Sequence, residues 1–72
     1  MDEGKFLDEM VEILDTDKAL TMDTRLDALE EWDSIAYVSF IAAMSDATER
    51  KLPPREVRKA ETIGDLYRLA FQ

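Results

Sequence analysis

The stretch Trp32-Asp33-Ser34-Ile35-Ala36-Tyr37-Val38-Ser39-Phe40-Ile41-Ala42-Ala43-Met44 decides the fold. An acidic connection with isolated apolar residues precedes it. From Ile35 to Met44 the chain is almost uninterruptedly apolar, so a helix is expected from Asp33 or Ser34 to about Arg50. Asp33 has the side chain to cap that helix by accepting a hydrogen bond from a free backbone N–H one turn in. Ser34 then becomes the first helical residue, its hydroxyl near the exposed end. Free N–H groups and the helix dipole favour an anion such as a phosphate there.

This helix is apolar on more than one side. Ile35, Val38, Ile41, Ala42 and Ser45 form one stripe, Tyr37, Phe40 and Met44 a second, and Ala36 and Ala43 keep the surface smooth. Such a helix is central in its bundle or partly open to a partner. The candidate partner-binding positions are Ile35, Tyr37, Val38, Phe40 and Met44.

Upstream, Phe6, Leu7, Met10, Val11, Ile13 and Leu14 recur at helical spacing, which predicts an amphipathic helix from about Asp2 to Asp15. Between Asp15 and Asp33 the aspartates raise the question of calcium. A calcium-binding loop needs oxygens at positions one, three and five, glycine at six and glutamate at twelve. Counted from Asp15, those last two are Leu20 and Leu26; counted from Asp23, position three is Arg25. No dedicated metal site is expected. Leu20, Met22, Leu26, Leu29 and Trp32 are expected to pin the connection to the bundle, with a short helical turn within Arg25 to Glu30.

Downstream, Pro53-Pro54 stops the central helix, and Pro54 can open a short one to about Ala60, anchored by Val57. Thr62-Ile63-Gly64-Asp65 resembles a capping box and starts a last helix with Ile63, Leu66, Tyr67, Leu69 and Ala70 on its packing face. The expected fold is all-α: a small bundle of three longer helices plus one short helix, in a single domain over residues 1–72.

Composition narrows the chemistry. The 72 residues hold no cysteine and no histidine. Disulfides, cysteine zinc sites and a Ser-His-Asp hydrolase are excluded, and a catalytic serine would need another base. Residues 1–34 carry twelve acids against three bases and residues 35–72 five against six, giving a net charge of −8. That charge disfavours nucleic acid as a partner and favours a basic protein surface. Arg50, Lys51, Arg55, Arg58 and Lys59 form a basic cluster, read as solvated surface with some ion pairs. No apolar run is long enough for membrane insertion, and the acidic start is unlike a secretory signal. A cytoplasmic monomer is expected.

The same residues resemble the acyl carrier protein family over almost the whole chain. The family keeps an Asp-Ser-Leu motif at the start of its second helix; here it reads Asp33-Ser34-Ile35. An amphipathic first helix, the loop leucines Leu20, Leu26 and Leu29, the proline break and Thr62-Ile63-Gly64-Asp65-Leu66 complete the frame. The resemblance implies 4′-phosphopantetheine, taken from coenzyme A and attached to Ser34, as the source of the thiol that the sequence lacks. It further implies that Asp33 caps the helix and contacts a metal ion during transfer. The partners implied are a phosphopantetheinyl transferase and acyl-activating, acyl-transferring or condensing enzymes. The expected function is a stand-alone carrier of acyl intermediates in a specialised fatty acid, lipid or polyketide pathway. The alternatives are an aminoacyl carrier for D-alanine or a peptide, and a helical interaction module without a prosthetic group. Departures from the family pattern are Trp32 where many members have glycine, Thr48-Glu49 where a Phe-Gly pair is usual, and a basic third helix where acidic is common. They point away from the housekeeping fatty acid synthase. A Ser34 hydroxyl buried in the bundle would rule out the carrier reading.

Overall fold

A computed structural model describes residues 1–72, and it is all helical. Helix α1 spans Glu3–Leu14, α2 Ser34–Thr48, α3 Pro54–Lys59 and α4 Ile63–Phe71, with a single 3-10 turn at Leu26–Ala28 in the long α1–α2 connection. Each boundary has a local cause. Asp2 caps α1 by accepting the Lys5 N–H at 2.8 Å. Asp15 ends it in the left-handed conformation, φ 50°, which aspartate tolerates better than most residues. Pro54 opens α3. The capping box of α4 is complete: Asp65 N–H donates to Thr62 Oγ1 at 3.1 Å and Thr62 N–H donates to Asp65 Oδ2 at 3.1 Å. Glu49 ends α2 with φ 56° and ψ 32°, a conformation that favours glycine, and this is where the family pattern has its Phe-Gly pair.

Helix α2 packs against α1, α3 and α4. Its buried side is Ala36, Phe40 and Met44. Phe6 meets Phe40 edge-to-face at 6.2 Å, and Met10, Leu52, Val57, Ile63 and Leu66 fill the space around them. Phe40 is fully buried and Met44 is 1% exposed, so neither is open to a partner as the sequence suggested. The other stripe faces water at Ile35 and Val38, which are 75% and 62% exposed. Packing chose the side of Phe40, which has Phe6 and Trp32 to meet, and of the β-branched stripe only Ile41 packs partly against the core.

The long connection is fastened by backbone as well as by its leucines. Arg25 forms an isolated antiparallel bridge with Thr62. Leu26 N–H donates to Glu61 O at 2.9 Å, Ile63 N–H to Thr24 O at 3.0 Å and Gly64 N–H to Met22 O at 2.8 Å. A Cβ on residue 64 would lie 2.8 Å from Met22 O, so this approach requires glycine. Leu26 and Leu29 are buried, while Leu20, Met22 and Trp32 pack partly buried against the core. The basic cluster is more structured than a solvated face. Arg50 donates to the carbonyls of Leu69 (2.9 Å) and Ala70 (2.6 Å), closing the C-terminal end of α4. Lys59 lies 3.5 Å from Glu56, and Arg58 stacks over Tyr37.

Candidate functional site

Ser34 is the first residue of α2 and is exposed. Asp33 holds the helix end: its extended backbone (φ −110°, ψ −171°) turns the chain into the helix, and its Oδ1 accepts the Ala36 N–H at 2.9 Å. Tyr37 N–H donates to Asp33 O at 2.9 Å. The N–H groups of Ser34 and Ile35 have no partner in the chain, as expected for a first turn, and the helix dipole adds partial positive charge beside the serine. The first turn contains no acidic residue.

Trp32 explains one departure from the family pattern. It precedes the cap and packs edge-to-face on Tyr37 (6.4 Å), the fourth helical residue, and on Phe40 (6.0 Å). This is a hydrophobic staple, which fixes the angle at which the chain enters the helix. The residue before it is held as well. Glu31 accepts from Thr16 Oγ1 at 2.8 Å and from Lys18 Nζ at 3.0 Å. Residues just past α1 thus anchor the strand of chain that carries Asp33 and Ser34. Nothing in the local sequence marked this clasp, whose threonine is buried.

Lys18 and then Thr16 hold the Glu31 carboxyl at about 2, down from its usual 4.5. The Glu61 N–H, then Arg68, with a further hydrogen bond from the Thr62 N–H, hold Asp65 at about 2 as well. Both folded values lie below the unfolded ones. The stabilisation is therefore complete above about pH 4.5 and is lost as the pH falls toward 2. The melting temperature is expected to drop over that window, and Glu31→Gln to flatten the drop in a series of melts from pH 6 to about pH 2.

Of the partner-binding candidates, Ile35 and Val38 flank Ser34 on the open face. Tyr37 is half-buried and turned toward α3: its hydroxyl donates to Pro54 O at 3.0 Å, and Arg58 lies 5.2 Å over its ring. Phe40 and Met44 belong to the core. No three carboxylates converge as a metal site. The one concavity, about 400 Å³ and open, lies between α3 and α4 and is lined by Glu56, Lys59, Ala60, Asp65, Arg68 and Leu69. Its charges pair with each other, and no residue of α2 contributes to it.

The geometry suits a covalent tether. A phosphodiester at Ser34 needs a reachable residue and donors for its oxygens, and Ser34 is exposed with unpaired first-turn N–H groups beside it. The removal of Asp33's cap tests how the site is held. Asp33→Ala is expected to cost about 1 kcal/mol, read as a lower urea midpoint with an unchanged slope.

Fold and site together describe a small helical domain with an exposed serine at the start of one helix. The family model described as the phosphopantetheine attachment site matches residues 5–70, and the chain belongs to that family. Comparison with the curated proteins and with the solved structures gives no match. The chain is thus a phosphopantetheine carrier domain, binding 4′-phosphopantetheine covalently and having no catalytic activity of its own. Carriers of this kind work with a phosphopantetheinyl transferase and further partner enzymes. No helix is long and apolar enough to cross a membrane.

Proposed function

We propose that Ser34 is the attachment residue and that the chain carries acyl intermediates in a specialised fatty acid, lipid or polyketide pathway. The supporting observation is the exposed Ser34 hydroxyl at the capped start of α2, inside the matched family region. The bound arm supplies a terminal thiol, which holds the cargo as a thioester. The chain's own residues do the rest. Asp33 keeps the helix end open by capping from the side. Its second carboxylate oxygen, Oδ2, makes no hydrogen bond in the chain and is free to contact the transferase's divalent metal ion. Ser34 Oγ forms the phosphodiester as its proton leaves and the nucleotide part of coenzyme A departs. The unpaired N–H groups of the first turn then face the phosphate.

Ile35 and Val38 are the residues a partner enzyme meets beside the arm. Tyr37 serves that surface indirectly, by holding α3 in place. The carrier acts as a cytoplasmic monomer that meets acyl-activating, acyl-transferring or condensing enzymes in turn, and tethering raises the local concentration of its cargo. The basic α3 supports a specialised partner over the housekeeping synthase. An intact-mass spectrum of the protein purified from its host tests the reading. The expected species carries one phosphopantetheine on Ser34, with a fraction further loaded by an acyl mass. An amino acid or peptide as load would replace the acyl reading with the aminoacyl one. A modification mapped to any other residue would overturn the assignment of Ser34.

A further inference from the structure

Ile35, Val38 and Ala42 form an exposed apolar ridge on α2 that begins at Ser34. Only Ser39 interrupts it, and α2 has no acidic residue before Asp46. Two contacts hold α3 alongside: the Tyr37 hydroxyl on Pro54 O at 3.0 Å, and Arg58 over the Tyr37 ring at 5.2 Å. Arg58, beside Tyr37, and Arg55, one turn before it on α3, are both exposed. The one ion pair of α3 joins Lys59 to Glu56, so neither arginine is neutralised within the chain.

We infer that the transferase that loads Ser34 docks on this ridge and presents carboxylates to Arg55 and Arg58. The inference rests on Ser34 as the loaded residue. Most partners of a carrier need to reach only the far end of a long arm. The transferase must bring its active site to the serine hydroxyl itself and cannot avoid the surface around it. Stable interfaces cover ~800 Å² per partner, a substantial part of the 4680 Å² this chain exposes. Ile35 and Val38 lie within about 6 Å of Ser34 along the helix axis, at a rise of about 1.5 Å per residue. Covering them brings Arg58 and Arg55 to the edge of the contact. Desolvating two cations without opposing charge is costly, so complementarity calls for carboxylates there.

This runs against the charge of the whole chain. At −8, long-range attraction favours a basic approaching enzyme. The two effects predict opposite responses to one change. Arg55→Glu and Arg58→Glu make the chain still more negative, which should speed loading if bulk charge governs it. The docking inference predicts slower loading.

The experiment follows phosphopantetheine addition by intact mass, using the host's own transferase, coenzyme A and magnesium, with carrier concentration varied. The expected result is a loss of about tenfold in kcat/KM for the double variant, carried by KM and smaller at high salt. Lys5→Glu, a charge change on α1 equal to that of Arg55→Glu alone, is expected to load like wild type. Circular dichroism melts check the fold. Should the double variant disturb α3 by losing the stack on Tyr37, Arg55→Glu alone carries the test, since its side chain is exposed and unpaired. Loading of Arg55→Glu at or above the wild-type rate overturns the inference, as does an equal loss in Lys5→Glu. Either result leaves the carrier function intact as long as Ser34→Ala still abolishes loading.

Discussion

Ser34→Ala is expected to accept no phosphopantetheine from a broad-specificity transferase supplied with coenzyme A and magnesium, under conditions that convert wild type completely. The reason is positional as well as chemical. The chain has two other serines, Ser39 and Ser45, but both lie inside α2, where backbone N–H groups are already paired along the helix. Neither has the donors, the dipole or the cap that surround Ser34. The loss should leave the fold alone. Ser34 is exposed and the cap belongs to Asp33, so stability should stay within about 0.5 kcal/mol of wild type. Intact mass gives the first readout and a urea melt the second. Wild type left unmodified, while a control carrier is converted, would favour a helical interaction module instead.

The second large effect is on stability. Phe40→Ala should cost about 3–5 kcal/mol, as large aromatic truncations in cores do. Phe40 has no exposed surface and meets both Phe6 and Trp32, so its removal empties the junction of α1, α2 and the connection before Ser34. Small domains have only about 5–15 kcal/mol in total, and this one has neither disulfide nor metal to reinforce it. The variant should be partly unfolded at room temperature, with a broad, early urea transition. Val38→Ala, on the same helix but 62% exposed, should change stability by no more than about 0.5 kcal/mol. A Phe40→Ala protein as stable as wild type would return that ring to the surface.

These two residues show what the sequence made legible and what it did not. Helix ends were readable because their causes are local. Asp33, Thr62 with Asp65, and Pro54 each act within one turn, and each lies where its pattern put it. The seat of Ser34 followed from the same kind of signal. The inward side of α2 was not readable. The helix is apolar all round, and which stripe packs depends on what the other helices bring to meet it. Phe6 decides that question from thirty-four residues away. The clasp of Thr16 and Lys18 on Glu31 and the bridge from Arg25 to Thr62 escaped for the same reason. Leu52 stands alone in a polar stretch with no local sign of burial, yet it is fully buried. The staple made by Trp32 did carry a local signal, an aromatic just before a cap with Tyr37 at the fourth helical position.

The bridge between Arg25 and Thr62 also sets an order of events during synthesis. The chain leaves the ribosome from its first residue onward, and the strap ahead of Ser34 emerges well before residues 61–64 that fasten it. Until that late turn is released, the serine rides on a half-secured platform. A modifying enzyme that reads the finished surface is therefore expected to act only once residues 61–64 have joined the fold.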